Sequence, residues 1–195
     1  STMKLLNRQS NRAERDLGER LREMSIAAPA VLAAVAILLL GMVSTAVACS
    51  RVLWAMEGEP VLVGRNEDWF ESLQTKLYAF PAGIERDGSV EENPLTWTSK
   101  YGSVSAVVYG IAITDGMNEK GLNANLLYLA ESEFGDRNPD VAGMSVSIFA
   151  QWMLDNFATV DEVVTALEDV ELVPITMMHD TTEVQSPFHY SVADA

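Results

Sequence analysis

Residues 104–129 read VSAVVYGIAITDGMNEKGLNANLLYL, and this stretch decides the fold. Two apolar runs within it, Val104 to Ile113 and Leu122 to Leu129, are rich in β-branched and aromatic residues and predict strands. Between the runs, Asp115-Gly116 and Lys120-Gly121 are dipeptides typical of turns. The stretch therefore predicts two strands that are separated by a polar, turn-rich connection.

Short apolar runs predict further strands at residues 52–54, 61–63, 77–80 and 95–98. The first two runs are separated by Glu57-Gly58-Glu59-Pro60, which predicts a hairpin with a polar turn. The last residues, 188–195, alternate as a strand does.

Two helices are predicted after residues 131–140, an acidic segment that reads as a solvated loop. The first covers Gly143 to Phe157, where apolar side chains recur at helical spacing. The second begins at a capping box formed by Thr159 and Glu162. Strands, then two helices, then a returning strand predict a layered α+β domain.

Composition and charge exclude several classes of protein. The chain of 195 residues is 48% hydrophobic, which excludes a disordered protein and suits one domain with a sizeable core. Its formal net charge of −15 argues against a nucleic-acid partner, because phosphate binding needs clustered Lys and Arg. The charge is uneven: residues 1–48 carry a small positive excess, and the acidic residues are concentrated after them.

The first 48 residues are typical of a secretory leader. Basic residues come first, and Val31 to Met42 then reads VLAAVAILLLGM. Ala46-Val47-Ala48 matches the small-residue pattern of a signal cleavage site. We therefore expect cleavage between Ala48 and Cys49, and a mature protein that is secreted or periplasmic. The membrane would then be a partner only through the leader, before cleavage.

Two other interpretations of the leader stay open. Residues 25–50 carry no charged side chain, and this stretch is long enough to remain as an uncleaved transmembrane anchor. Ala46-Val47-Ala48-Cys49 also resembles a bacterial lipoprotein box, in which the cysteine is lipidated and tethers the protein. The usual leucine of such a box is Ala46 here. Processing at the signal cleavage site or at the lipoprotein box makes Cys49 the first mature residue, but only the former leaves its amine free.

Few residues offer chemistry of the common kinds. The two histidines, His179 and His189, are too few for most metal sites, and a single cysteine excludes a disulfide framework. Asn66, Glu67 and Asp68 lack the spacing of a calcium-binding loop. The sequence shows no phosphate-binding loop, dinucleotide fingerprint or serine elbow. We therefore predict neither a metal nor a cofactor.

Cys49 is the exception. A thiol on the first mature residue carries its own base, because the freed α-amine has a pKa near 8 and lies within reach. The predicted hairpin returns residues 64–69, GRNEDW, to the Cys49 end. There Asp68 could hold the amine, and Arg65 could favour the thiolate. Taken alone, Trp69 would be predicted as a core residue. Beside a terminal cysteine, we expect it to lie next to the nucleophile instead.

At this point the chain resembles a known family, the choloylglycine hydrolases. The resemblance rests on the motifs CSR at 49–51, RNEDW at 65–69, LTWTSKYGS at 95–103 and TDGMNEKGL at 114–122. NLLYLAESE at 125–133 and LDNFATV at 154–160 are most similar to the family's Gram-negative branch. The family comprises penicillin V acylases and conjugated bile acid hydrolases, which are N-terminal nucleophile hydrolases.

The resemblance implies a four-layer αββα sandwich that hydrolyses a linear, non-peptide amide. It implies Cys49 as the nucleophile, its amine as the base, and Arg65 and Asp68 beside them. The backbone N–H of Tyr128 would donate to the oxyanion, and the rings of Trp69 and Tyr128 would contact the substrate. The expected partner is a small-molecule amide: penicillin V or an acyl-homoserine lactone, with conjugated bile salts ranked behind.

In one respect the chain departs from the family pattern. The family's domain continues with further strands, which supply an asparagine to the oxyanion hole and an arginine near the nucleophile. We therefore expect residues 49–195 to be the N-terminal portion of the catalytic domain, truncated in its C-terminal half. A tethered lipoprotein without catalysis and an inactive truncated fragment remain as alternatives. The resemblance leaves a homo-oligomer open.

Overall fold

The computed structural model describes residues 49–69, 71–179 and 182–194. The chain divides into the units Ser1–Ala46 and Val47–Ala195, and every described residue belongs to the second. The predicted leader, residues 1–48, lies outside the described residues. In the described part of the chain, no helix has the length and apolar character needed to cross a bilayer.

Strands make up most of the described secondary structure. They are β1 (Ser50–Trp54), β2 (Leu62–Asn66), β3 (Lys76–Phe80), β4 (Glu85–Asp87), β5 (Thr96–Thr98), β6 (Ser103–Val108), β7 (Ala112–Asn118), β8 (Asn123–Tyr128), β9 (Ala142–Ser145), β10 (Val170–Val173), β11 (Thr176–His179), β12 (Thr182–Gln185) and β13 (Phe188–Ala193). The helices are α1 (Phe149–Asn156) and α2 (Val160–Ala166), which a 3₁₀ turn at Leu167–Asp169 follows.

One antiparallel sheet of five strands forms the centre of the domain, in the order β13-β8-β7-β6-β3. Four strand pairs lie outside it: β1 with β2, β4 with β5, and β11 with β12 are antiparallel, while β9 with β10 is parallel. Helix α1 packs against the central sheet and contacts β6, β7 and β8. The expected α+β class is confirmed, with the described residues supplying this sheet and a helical layer on it.

The deciding stretch folds differently from its prediction at two points. The strand predicted over Val104 to Ile113 is interrupted by a tight turn at Tyr109-Gly110, where the Ile111 N–H donates to the Val108 carbonyl at 3.0 Å. The turn predicted at Asp115-Gly116 is wrong, because both residues lie inside β7 and pair with β6 and β8. The glycine there serves packing: a Cβ on Gly116 would lie 2.4 Å from Leu154 Cδ1 of α1.

The helix predicted over Gly143 to Phe157 is right only in its second half. Residues 142–145 form β9, because they pair in parallel with β10, and α1 begins at Phe149. The capping box of the second helix is confirmed, since the Glu162 N–H donates to Thr159 Oγ1 at 3.3 Å. The hairpin predicted near the start of the mature chain and the terminal strand are also confirmed.

The core lies between α1 and the central sheet. Every residue of α1 is buried, and Phe149 stacks with Trp152 at 5.7 Å and meets Tyr190 of β13 edge-on at 4.7 Å. Leu122, Met144 and Leu154 are fully buried in the same cluster. Burial of side chains of this size contributes about 1.5–3 kcal/mol each, so this layer is the main source of stability.

Two buried polar residues fix how α1 sits on the sheet. Asn118 Nδ2 donates to the Leu154 and Phe157 carbonyls at the end of α1, at 2.8 and 2.7 Å. Its Oδ1 accepts from the N–H groups of Lys120 and Leu122, which closes the β7–β8 turn. Asp155, which is fully buried, accepts from Arg86, Trp97 and Gln151, each at 2.8 Å. Buried polar groups need such partners, and these bonds therefore define the packing of α1.

Candidate active site

The β1–β2 hairpin places Cys49 beside the end of β2, as the sequence predicted. Cys49 immediately precedes β1 and is half-buried. Ser50 pairs with Asn66, and the Ser50 N–H also donates to Asn66 Oδ1 at 2.9 Å. Because the strands are antiparallel, the start of β1 lies next to the residues that follow β2.

Asp68 joins this cluster through Asn66. Its carboxylate accepts a hydrogen bond from Asn66 Nδ2 at 2.9 Å, and Asn66 in turn binds the Ser50 N–H. The carboxylate of Asp68 is exposed, and Asp68 does not line the cavity described below. Asn66 therefore bridges the Asp68 carboxylate to the backbone N–H of Ser50, the residue after Cys49.

Arg65 connects the hairpin to the central sheet. Its Nη1 donates to Asp115 Oδ2 of β7 at 2.5 Å, and its Nη2 donates to the Leu126 carbonyl of β8 at 2.8 Å. The Arg65 side chain is only 9% exposed and that of Asp115 is 24% exposed. A charge-assisted bond at this depth is stronger than a neutral one and is poorly screened.

A second arginine repeats the connection. Arg51 Nε of β1 donates to Asn125 Oδ1 at 2.7 Å, and Asn125 Nδ2 donates to Asp115 Oδ1, also at 2.7 Å. Both oxygens of Asp115 are therefore used, one through Asn125 and one by Arg65. The two arginines of the hairpin converge on one carboxylate of the sheet.

A β-bulge gives Asp115 this role. The pairing of β6 and β7 shifts between Ala106 and Val107, so that Ile113 and Asp115 have partners on β6 and Thr114 is the extra residue. A bulge lets two consecutive side chains face the same side of a sheet. Thr114 lines the cavity next to Cys49, and its neighbour Asp115 binds Arg65.

Cys49 opens into an apolar cavity of about 280 Å³. Trp69 and Tyr128, for which substrate contact was predicted, both line it, with their rings edge-on at 6.0 Å. The cavity also has two acidic residues, Glu67 and Glu71. The remaining lining residues come from strands of the central sheet, from the start of β11 and from the loops beside them: Leu73, Val108, Tyr109, Ile111, Ala112, Thr114, Leu126, Ile175, Thr176 and Phe188.

Glu67 has a perturbed ionisation. Burial raises the pKa of Glu67 above its usual value; the positive charge of Arg65 opposes this shift, and the negative charge of Asp115 adds to it. The Arg65 guanidinium lies 3.7 Å from the Glu67 carboxylate, farther than from Asp115. The positive charge of Arg65 therefore offsets only part of the rise in the pKa of Glu67.

No metal centre is evident in the residues that the structure describes, because their His, Cys, Asp and Glu side chains form no group of three that could hold an ion. What the arrangement offers instead is a thiol in the lining of an apolar cavity, on a hairpin that a partly buried arginine–carboxylate pair attaches to the central sheet.

Comparison with known proteins assigns the chain to a family. The family model of linear amide C–N hydrolases, choloylglycine hydrolase family, matches residues 49–195. The chain belongs to the choloylglycine hydrolase family. A penicillin V acylase of Pectobacterium atrosepticum is 39% identical over 161 residues, which cover 78% of this chain and 43% of that protein.

Solved structures agree with the family assignment. The penicillin V acylase from Agrobacterium tumefaciens is 35% identical with a TM-score of 0.61, covering 74% of this chain and 52% of that one. A mutant conjugated bile acid hydrolase from Clostridium perfringens shares the fold at 24% identity and a TM-score of 0.60, covering 75% of this chain and 45% of that one. The chain thus spans about half the length of the family members it matches.

Four residues of the site escaped the sequence analysis as site residues: Asp115, Asn125, Glu67 and Tyr109. A charged residue just after an apolar run was the available signal for Asp115, but the glycine after it indicated a turn instead. The polar Asn125, in the middle of a predicted strand, was a similar signal. No such signal marked Tyr109, because tyrosine is itself typical of strands and lies here within a predicted strand.

The Arg65–Asp115 bond predicts a measurable coupling. We expect the double-mutant cycle Arg65→Met with Asp115→Asn to give a coupling of about 1.5–3 kcal/mol in the free energy of unfolding, the usual range for a hydrogen bond to a charged group. Urea denaturation of the four proteins measures it. The matched control is Arg65→Met with Glu67→Gln, a pair 3.7 Å apart, for which we expect a smaller coupling. Equal couplings would contradict the structure.

The raised pKa of Glu67 predicts a pH-dependent effect of Glu67→Gln. A carboxyl whose pKa is higher in the folded state stabilises the fold while protonated, and that contribution is lost as pH rises through the folded pKa. Glu67→Gln should therefore raise the melting temperature at pH 7, and the gain should vanish below the unfolded value of about 4.3. The control is Glu57→Gln, an exposed residue of the β1–β2 turn. A lower melting temperature for Glu67→Gln at pH 7 would refute this.

Proposed function

We propose that this protein hydrolyses linear amides with Cys49 as an N-terminal nucleophile. The observation that carries the proposal is the position of Cys49, the sole cysteine of a chain in the linear amide hydrolase family, in the lining of an apolar cavity. Removal of residues 1–48 by cleavage between Ala48 and Cys49 would supply the free amine. This part of the proposal includes export, to the periplasm or out of the cell.

In the first half of the reaction the α-amine of Cys49 takes the thiol proton, and the thiolate attacks the amide carbonyl carbon. The tetrahedral intermediate then collapses, the carbon–nitrogen bond breaks, and the departing amine takes the proton from the α-ammonium. The product at this stage is a thioester on Cys49. In the second half the α-amine removes a proton from water, and the resulting hydroxide releases the acid and restores the thiol.

Arg65 and Asp68 would hold the nucleophile and the base. A nearby guanidinium favours a thiolate, and Arg65 is fixed by Asp115 and by the Leu126 carbonyl. The exposed Asp68 carboxylate is linked through Asn66 to the N–H of Ser50, the residue after the nucleophile. It is therefore suited to receive a charged N-terminal amine.

The oxyanion would form near the end of β8. Tyr128 is the last residue of that strand, and its ring lines the cavity together with Trp69. We propose that its backbone N–H donates to the developing oxyanion. One such donor is commonly worth ~3 kcal/mol in the barrier.

The cavity supports an uncharged, apolar acyl group as the part of the substrate that is bound. Its volume of about 280 Å³ is just below the usual range for a pocket that holds a whole ligand, so it suits one acyl group with the leaving amine outside. Glu67 and Glu71 would repel an anionic acyl chain. Penicillin V and acyl-homoserine lactones are our first candidate substrates, followed by conjugated bile salts.

Replacement of Cys49 tests the proposal. We expect protein that begins at Cys49 to hydrolyse penicillin V, Cys49→Ala to lose the activity, and Cys49→Ser to retain a small fraction of it at most. The release of 6-aminopenicillanic acid measures the rates. Unchanged melting temperatures would confirm that the variants fold. Hydrolysis by Cys49→Ala at the parent rate, or none by the parent, would refute the assignment.

A further inference from the structure

The turn between β6 and β7 has an unfavourable residue at its first central position. Tyr109 has a φ of 52° and Gly110 a φ of 74°, and the Ile111 N–H closes the turn on the Val108 carbonyl. Two consecutive residues with positive φ define the hairpin turn in which Asn-Gly is the preferred sequence. A bulky aromatic residue in the left-handed region is an outlier.

The same tyrosine forms hydrogen bonds with three described residues between β2 and β3: Trp69, Glu71 and Leu73. Its N–H donates to the Leu73 carbonyl at 3.0 Å. Its hydroxyl accepts from Trp69 Nε1 at 3.1 Å and donates to Glu71 Oε1 at 2.8 Å. Burial, and next the bond to Glu71, raise the pKa of Tyr109, so the phenol stays protonated and keeps donating.

These contacts converge on one wall of the cavity. Trp69, Glu71, Leu73 and Tyr109 all line it. The indole N–H of Trp69 is fixed by Tyr109, and its ring meets Tyr128 edge-on at 6.0 Å. Asparagine at position 109 would suit the turn better, but it has no phenol hydroxyl to accept the hydrogen bond from Trp69. Strain of this kind persists where the surroundings over-determine it, and it clusters at functional sites.

We propose that Tyr109 is a positioning residue that fixes Trp69 as a wall of the acyl cavity and so sets the affinity for an aromatic acyl group. The proposal rests on the proposed function, because it takes the cavity beside Cys49 to be the acyl site. Tyr109 destabilises the turn through its positive φ, but its hydroxyl fixes the indole of Trp69. Replacement of Tyr109 should therefore separate stability from binding.

The test measures binding without turnover. The parent is Cys49→Ala, and Tyr109→Asn and Tyr109→Phe are added to it. The ligand is phenoxyacetamide, which carries the acyl group of penicillin V as a simple neutral amide. The signal is the emission of Trp69, obtained as the difference between each protein and its Trp69→Phe counterpart.

We expect both replacements to raise the Kd for phenoxyacetamide by about five-fold, the factor that one typical hydrogen bond is worth in an equilibrium constant. The Trp69 emission should shift in the absence of ligand. Tyr109→Asn should also melt at or above the parent's temperature, because it relieves the turn. A residue with only a structural role could not combine weaker binding with undiminished stability.

Tyr78→Phe is the matched control. Tyr78 is 41% exposed against 39% for Tyr109, but it stacks on Phe80 of β3 and does not line the cavity. We expect it to change neither the Kd nor the Trp69 emission. An equal effect of Tyr78→Phe, an unchanged Kd in the Tyr109 variants, or no saturable binding by the parent would each overturn the proposal.

Hydrolysis distinguishes this proposal from the one on which it rests. If protein with Cys49 intact fails to hydrolyse penicillin V while the Tyr109 variants still weaken binding, the catalytic proposal fails and the role of Tyr109 stands. If hydrolysis occurs but the Tyr109 variants bind and turn over like the parent, the role of Tyr109 fails alone. In the favourable case KM for penicillin V rises in the Tyr109 variants more than kcat falls.

Discussion

The hydrogen bond between Arg65 and Asp115 is the constraint on which the site depends. Within the described residues β1 and β2 pair only with each other, so no backbone ladder of that part of the chain attaches this hairpin to the central sheet. Arg65 attaches it through Asp115 and the Leu126 carbonyl, and Arg51 attaches it through Asn125. Cys49 precedes β1 directly, so its place at the cavity follows from these side-chain contacts. Loss of one partner would leave the other charge partly buried without its opposite charge, which is costly.

The motif TDGMNEKGL serves both the site and the core. Thr114 and Asp115 face the cavity and the hairpin, because the bulge turns both to one side. Gly116 and Asn118 face α1, the first by leaving room for Leu154 and the second by binding carbonyls at the helix end. Gly121 adopts a φ of 89° in the turn that Asn118 closes. One short segment therefore sets the distance between the helix, the sheet and the nucleophile.

The sequence predicted what depends on local pattern. Apolar runs rich in β-branched and aromatic residues located most strands of the described residues, and the capping box located the start of α2. It failed where tertiary contacts decide the outcome. The Asp115-Gly116 pair has the composition of a turn, but its glycine packs on α1 and its aspartate binds an arginine fifty residues earlier in the chain. Residues 142–145 have helical spacing, yet pairing with β10 makes them a strand.

The position of Tyr109 could not be read from the sequence for a related reason. A tyrosine and a glycine between β-branched residues continue a strand pattern, and only the fold shows that they form the turn. The three partners of Tyr109 lie on one segment some forty residues earlier, which no local pattern connects to it. Relief of strain at that turn would favour the fold but would release Trp69. Stability and binding are thus opposed at this one residue.

The central claim is that Cys49 supplies both the nucleophile and the base once its amine is free. It is tested most directly by comparing two forms of the protein on penicillin V. One begins at Cys49, and the other retains residues 1–48 because bulky replacements of Ala46 and Ala48 block cleavage. An amide-bound nitrogen cannot accept a proton near neutral pH, so we expect the uncleaved form to be slower by roughly 10²–10⁴-fold. Equal rates in the two forms would contradict the claim.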